Sequence, residues 1–475
     1  MKMKTLVWYR NDLRITDHAP LCDAAKEGSV LALYCFDPGH FTQTSFGFPK
    51  TGGHRAKFLI ESVHNLRDNL RKRGGELIIR TGKPENVIPE LVSSAGIDRV
   101  SAHKEVTKEE NEVEEAVEKS LQIPVQWYQG HTMYHPDDLP MKGDKIPNVF
   151  TEFRKKVEKH SDVREPLEAP EKITRVSDVE AGELPDLISL GVDMLPSDPG
   201  SVLQFKGGED AGLDRIHRYF FETDSLKDYK FTRNGLLGAD YSSKFSPWLA
   251  HGCISARTIH AEVKRYESER HKNVSTYWML FELIWRDYFR YSAQKHGNSI
   301  FYSGGIQKKV MDKSTDRTLF DAWASGRTGI PFIDANMREL NATGYMSNRG
   351  RQNVASFLAQ NLNLDWRMGA EYFESQLLDY DVCSNWGNWA YNATVGHDPR
   401  NRYFNIIGQA QKYDPKGEYV RHWLPELKHV PKEFIFEPHK MTPDQQTLFE
   451  AVIGKNYPKP VIDLETTYGE IRSRD

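Results

Sequence analysis

Between Thr5 and about Tyr128 the chain alternates short apolar runs with amphipathic stretches, and beyond Asp210 that alternation stops. The runs TLVWY, VLALYCF, ELIIR, DRVSA and PVQWY read as strands. The stretches between them read as helices. Residues 54–72, for example, put Phe58, Val63, Leu66 and Leu70 at helical spacing before Gly74 and Gly75 supply a stop. Such alternation predicts a parallel, doubly wound α/β sheet, which binds ligands beyond its strand C-termini. No G-x-G-x-x-G follows the first strand, so a dinucleotide fingerprint is missing, and fold alone assigns this half no chemistry.

At 475 residues the chain is too long for one ordinary core. Residues 1–135 make the α/β domain on this pattern. Residues 136–205 are rich in proline and acid and read as a long surface connector with one short helix near 149–160. Residues 206–440 read as an all-α domain, with helix-period segments at 211–222, 255–270, 274–296, 316–325, 331–342, 347–362 and 369–380. Residues 441–475 read as a short C-terminal tail. Eight of the ten tryptophans lie beyond residue 240.

A net charge of -4 rules out a uniformly basic nucleic-acid coat, so any DNA contact needs a local basic patch. The four cysteines form no C-x-x-C pair and no close-spaced framework, which fits a reducing interior and offers no metal-ligand pattern. The first apolar run is cut off by Arg10, Asn11 and Asp12, too short for a signal peptide, and no run is long enough for a membrane span. A soluble, cytoplasmic monomer is expected.

Three clusters carry chemistry. Tyr241-Ser-Ser-Lys-Phe-Ser-Pro-Trp-Leu249 packs three hydroxyls and a lysine before Pro247, which fits the first turn of a helix and suits a diphosphate; an ordinary capped loop reads equally well. Leu377-Leu-Asp-Tyr-Asp-Val-Cys-Ser-Asn385 sets two acids beside an amide, and buried acids need a counter-charge, which Arg349 or Arg351 supplies, unless the acids lie on a solvated helix end. Phe281-Glu-Leu-Ile-Trp-Arg-Asp-Tyr-Phe-Arg290 mixes aromatics with Glu282 and Arg286 at i, i+4, a face that stacks on a base or cofactor or simply packs in a core.

In order and wording these segments resemble the photolyase/cryptochrome superfamily over almost the whole chain. SSKFSPWLAHGCIS is similar to its phosphate-binding loop, FELIWRDYFR to its lesion-facing helix, LLDYDVCSNWGNW to its flavin-ring segment and WYRNDLRITDH to its first strand and loop. FPKTG at 48–52, MYHPDDLP at 133–140, TRNGLLGADYSSKFSPWLA at 232–250, MSNRGRQNVASF at 346–357 and DWRMGAEYFE at 365–374 resemble the cryptochrome DASH group in particular. Gln352 and Tyr391 stand where ordinary cyclobutane-dimer photolyases have Met and Trp.

The resemblance implies a C-terminal FAD-binding domain in which Ser242, Ser243, Lys244, Phe245 and Ser246 cradle the diphosphate with Tyr229 and Arg286. It sets Asp379, Tyr380 and Asp381 at the polar edge of the flavin ring, Arg351 on Asp379, and Asn385 at N5. Trp389, Trp366 and Trp323 match a tryptophan relay running from the flavin to the surface. Glu282 hydrogen-bonds a thymine dimer flanked by Trp285 and Tyr391, with Asn348, Arg349 and Gln352 beside it. A second chromophore, 5,10-methenyltetrahydrofolate, is expected as an antenna, with Glu105, Glu109 or Glu110 as its pterin partner.

Tyr391 offers less stacking surface than Trp, and with base–aromatic stacking worth about 1–3 kcal/mol per base the shortfall penalises extraction of a dimer from a duplex more than from an unpaired strand. The implied activity is therefore blue-light-driven splitting of cyclobutane pyrimidine dimers in single-stranded DNA. A signalling photoreceptor using the same flavin is the alternative, disfavoured by the short segment after the FAD domain. A non-catalytic nucleic-acid-binding regulator would lack Glu282 or Asn348.

Overall fold

The computed structural model describes residues 2–193, 198–397 and 403–473. Strands β1 (Met3–Tyr9), β2 (Gly28–Phe36), β3 (Leu77–Thr81), β4 (Arg99–His103) and β5 (Val125–Tyr128) form a parallel sheet in the order β3-β2-β1-β4-β5. Helices α1 (Ala19–Glu27), α2 (Gly53–Lys72), α3 (Pro84–Ala95) and α4 (Lys108–Ser120) connect them. The two faces of β1 explain its unbroken apolar run: Leu6 and Trp8 enter one core with Ile88 and Leu91 of α3, while Val7 and Tyr9 enter another with Phe58 and Leu66 of α2.

The crevice where strand order reverses, between β1 and β4, is filled by protein. Asp12 Oδ2 accepts from His18 Nε2 at 2.9 Å and from His103 Nδ1 at 2.7 Å. Although these three residues offer ligand atoms within 4.8 Å of one another, the shared carboxylate oxygen is already spent on two ring N–H groups.

The segment 136–205 is more than a surface connector. Its helix α5 (Phe150–His160) lies where the pattern put it, but Met141, Ile146, Phe150, Phe153, Val157 and Ile173 are all buried in the core shared with the sheet and the helical domain. A further two-residue strand, β6 (Thr174–Arg175), pairs with Ser29 and Val30 of β2. β3 engages β2 only from Ala32 onward, so β6 closes the edge that β3 leaves open. The acids between Asp162 and Asp186 lie exposed on this strap.

The second half is helical among the described residues: α6 (Glu209–His217), α7 (Tyr229–Thr232), α8 (Ser246–Ala250), α9 (Ala256–Glu269), α10 (Val274–His296), α11 (Arg317–Ala324), α12 (Pro331–Thr343), α13 (Asn348–Ser356), α14 (Trp366–Gln376), α15 (Val382–Asn392), α16 (Ile406–Tyr413), α17 (Glu418–Trp423), α18 (Pro443–Leu448) and α19 (Leu464–Ser473). Single π-type turns at 218–222 and 357–361 extend α6 and α13. The described part of the tail, residues 441–473, is not loose. Tyr457, Tyr468 and Ile471 are buried, Tyr457 Oη donates to Asp334, and Tyr468 Oη accepts from the Ile406 N–H at 2.8 Å.

Buried charge ties the halves together. Asp17 takes a two-pronged bond from Arg257 (2.7 and 3.0 Å), Glu209 caps the Ile15 and Thr16 amides, and Asp287 of α10 caps those of Met133 and Tyr134. Each carboxylate is matched by donors, as burial requires.

Candidate flavin and lesion site

Two adjoining cavities open in the helical half. The larger, with an empty volume of about 790 Å³ including its mouth, lies between α13, α14, α15 and the start of α8. Nine sequence-predicted residues line it: Ser246, Asn348, Arg351, Gln352, Asp379, Tyr380, Asp381, Asn385 and Trp389. The smaller, of about 540 Å³, is lined by Arg349, Gln352, Tyr391, Asn392 and Phe404, so Gln352 and Asn392 form the wall between the two.

Local sequence explains the larger cavity's polar wall. Asp381 caps α15, its Oδ1 accepting from the Ser384 N–H at 2.7 Å. The helix then carries Ser384, Asn388 and Asn392 along one stripe at four-residue spacing, beside Asn385 and Trp389, and all five face the cavity. That stripe is legible in the sequence once 382–392 is read as a helix. Asn385 Nδ2 donates to the Ala370 carbonyl at 3.0 Å, which leaves its Oδ1 and second N–H for a ligand. The Asp379 side chain is 1% exposed and receives Arg351 Nη2 on Oδ2 at 2.8 Å. Its Oδ1, and Gln352 Oε1, are buried without a partner in the protein. Unpaired buried acceptors are rare, and here they mark where a planar ligand edge rich in N–H groups fits.

The SSKFS loop is held from behind by Arg215, which sequence reasoning missed; a buried arginine on an otherwise ordinary helix gives no signal. Its guanidinium donates to the carbonyls of Ser243 (2.9 Å), Ser242 (3.1 Å) and Ala239 (3.0 Å) and pairs with Asp240 at 2.7 Å. Only Ser246 of the loop lines the cavity itself. Phe245 is buried against Tyr219 and Phe220. Lys244, expected to face a diphosphate, turns inward: at φ +55° its Nζ sits 3.2 Å from the centroid of the Tyr241 ring without a hydrogen-bond partner, and burial, with Arg215 nearby, pulls it down to about 6. Arg215→Ala is expected to cost at least about 2 kcal/mol and to weaken flavin retention, because four bonds to a charged donor are lost; denaturant midpoints and flavin absorbance after gel filtration read both.

Arg286 and Tyr229 are also placed away from the cavity lining. Arg286 donates to the His131 and Leu249 carbonyls, joining α10 to the inter-domain loop. Tyr229 is buried under α10 in the core.

Trp285 backs onto Phe150 of α5, ring centroids 3.6 Å apart and nearly parallel, and meets Tyr391 edge-on at 6.5 Å. Glu282 lies one turn before it, with its side chain about 31% exposed and Arg233 Nη1 at 2.5 Å. Burial raises the Glu282 carboxyl above its usual range, and Arg233 works against that rise. Arg349 spans from Gln409 (3.3 Å) to Asn234 (3.1 Å), over the Tyr413 ring.

The tryptophans do not form the expected line to the surface. Trp389 lines the cavity and meets Trp323 edge-on at 6.1 Å, but Trp323 is wholly buried and is no surface terminus. Its other close aromatic neighbours are the buried Phe320 at 5.5 Å and the half-buried Tyr372 at 5.7 Å. Trp366, also buried, has Trp386 as its ring neighbour at 5.6 Å. Helix packing sets these neighbours, and spacing in sequence carries no trace of them.

The three glutamates of the HKEVTKEEN segment separate sharply. Glu105 is buried between Arg290 Nη2 (2.5 Å) and Asn11 Nδ2 (3.2 Å). Glu109 is exposed and pairs with Lys50. Glu110 keeps a buried Oε2 without a partner and is pushed up to about 8 by burial and by the Glu105 charge.

The profile of the FAD binding domain of DNA photolyase matches residues 278–474, and that of DNA photolyase matches residues 5–171. A cryptochrome DASH of Gloeobacter violaceus is 54% identical over 98% of this chain and 94% of its own. The chain belongs to the cryptochrome DASH family. As a DASH chain it superposes on the crystal structure of the Synechocystis sp. PCC6803 cryptochrome with a TM-score of 0.97 at 49% identity, each chain covered completely. A bacterial class III photolyase from Agrobacterium tumefaciens gives 0.86 at 28% identity over 100% of this chain and 98% of that one. The helical half is thus a photolyase-type FAD-binding domain, and this DASH protein is a blue-light flavoprotein by family. Among the described residues no helix is long and apolar enough to cross a membrane.

Proposed function

We propose that this DASH protein splits cyclobutane pyrimidine dimers in single-stranded DNA under blue light. The observation that carries the reading is the pair of adjoining cavities whose shared wall is Gln352 and Asn392. One accepts a flavin edge and the other is bordered by the aromatic and basic groups a flipped-out pyrimidine dimer needs. FAD, when bound, supplies the light absorption and the single electron the split requires.

The protein's own groups do the rest. Arg351 holds Asp379 at the flavin edge through their 2.8 Å ion pair, and Asn385 offers an amide that serves either protonation state of a ring nitrogen. Phe150 pins one face of Trp285, so the indole meets a ligand as a rigid surface, with Tyr391 closing the corner. Glu282, raised by its surroundings, offers a hydrogen bond or a proton to a thymine carbonyl. Asn348 and Arg349 contact the lesion and its phosphates, the latter as a cation without a carboxylate partner among the described ion pairs. The smaller Tyr391 limits what stacking returns for opening a duplex, which favours an unpaired strand.

We assign the antenna, methenyltetrahydrofolate, to the inter-domain cleft, with Glu110 as the pterin partner, because it alone of the three glutamates has an unpaired buried oxygen. An absorption band in the near ultraviolet that is lost in Glu110→Ala tests this.

The reaction is tested by reducing the purified protein, illuminating it and following dimer loss in single-stranded and duplex oligonucleotides. Loss in the single strand at ten times the duplex rate or more is expected. No light-dependent loss in either substrate leaves the photoreceptor reading in its place.

A further inference from the structure

Among the described residues Phe231 is the one exposed phenylalanine, at 72%, and no tryptophan reaches that exposure. It belongs to α7, where its neighbours are committed: Tyr229 is buried, and Lys230 Nζ lies 4.7 Å over the ring of Trp278. Trp278 stacks on Phe281 at 4.7 Å, and the Arg233 guanidinium lies 5.9 Å from the Trp278 ring centroid while reaching Glu282 at 2.5 Å. The next residue, Asn234, accepts from Arg349, which lines the smaller cavity. The five residues from Lys230 to Asn234 therefore run from an aromatic, cationic surface to the rim of the lesion site.

Charge at this surface is not cancelled. Glu282 is matched by Arg233, but Lys230 and Arg349 are in no ion pair among those described, so two cations remain, Lys230 at the start of the 230–234 segment and Arg349 bonded to Asn234 at its end. An apolar ring held in water beside unpaired cations suits a partner that offers flat faces at intervals along an anionic backbone, which is what a single nucleic-acid strand presents. A duplex hides those faces in its own stack.

We propose that Phe231 is a stacking platform for an unpaired base next to the dimer in single-stranded DNA, with Lys230 and Arg349 neutralising the phosphates on either side. The inference rests on the reading of the smaller cavity as a lesion site. It gives single-strand preference a second source, independent of Tyr391, because the platform contributes nothing when the neighbouring base is paired.

The test is dark binding of the flavin-loaded protein to three probes: an undamaged single-stranded oligonucleotide, the same strand with one thymine dimer, and its duplex. Phe231→Ala is expected to lower affinity for both single strands at least about fivefold, the lower end of what one stacked base contributes, and to leave the duplex within twofold. Phe231→Trp is expected to restore single-strand binding. Lys230→Met is expected to flatten the dependence of single-strand affinity on salt by about 0.7 in logarithmic slope, which Phe231→Ala, losing no charge, does not. Single-strand binding by Phe231→Ala within twofold of wild type, or an equal loss on the duplex, overturns the platform. Light-driven dimer loss by the wild-type protein decides the repair reading separately, since undamaged-strand binding needs no photochemistry.

Discussion

Replacing Arg351 by methionine is expected to destabilise the fold by about 3–5 kcal/mol and to empty most of the flavin site, because it leaves the Asp379 carboxylate buried without a counter-charge. The Asp379 side chain is 1% exposed, Arg351 is the group on its Oδ2, and its Oδ1 has no partner among the described residues. Denaturant unfolding of the flavin-free chain reads the first effect and flavin absorbance after gel filtration reads the second. The double variant Arg351→Met, Asp379→Leu separates them: stability is expected to return, since an apolar pair fills the space, while flavin binding stays lost. A single variant destabilised by less than 1 kcal/mol would mean that solvent reaches Asp379 and that the pair is not what shapes the cavity edge.

Acid is the second large lever. His18 and His251 are buried, and burial depresses each from its ordinary 6.5 to about 4, against the pull of Asp12 on His18 and of the Leu378 carbonyl on His251. His103 and His131 are depressed by burial as well. All four are neutral in the fold. Below pH 6.5 the unfolded chain takes up protons that the folded one refuses, so stability present at pH 7 is lost as pH falls from 6.5 towards 4, by about 2–3 kcal/mol for each of the first two. For Asp12 burial works against ionisation, but His18 and His103 hold it well below the usual carboxylate range, so its share is kept to lower pH and lost only beneath about 4. Denaturant midpoints at pH 7.5, 6 and 5 are expected to fall steadily. Flavin release should follow the same curve, because His251 Nε2 bonds the Leu378 carbonyl at 3.1 Å, one residue before Asp379. Flat midpoints across that range would show that these histidines are hydrated in the fold.

These expectations lean on contacts of very different visibility. The period of the apolar residues was enough to place five strands and most of the long helices, because burial on both faces of a parallel sheet and on one face of a helix writes itself into residue order. Motif wording likewise pointed to Asp379, Asp381, Asn385, Arg351 and Trp389, which line one cavity: four of them lie on the short run 379–389, and Arg351 joins them from α13.

What stayed hidden depends on residues far apart in the chain meeting through packing. Nothing local marks Arg215 as the clamp behind Ser242 and Ser243, or shows Lys244 turning under Tyr241, because both follow from how α6 lies against the loop. Trp323 reads like a surface relay member and is instead sealed beside Trp389 and Tyr372. The connector and the C-terminal segment look polar and loose in composition, yet each inserts a few apolar side chains, such as Phe150 and Tyr457, into cores built by other elements. The order of the residues therefore dictated which elements form and which motif carries the flavin chemistry. Their docking alone chose which side chains face the cavity, because that choice rests on a few contacts between distant segments rather than on any repeating pattern.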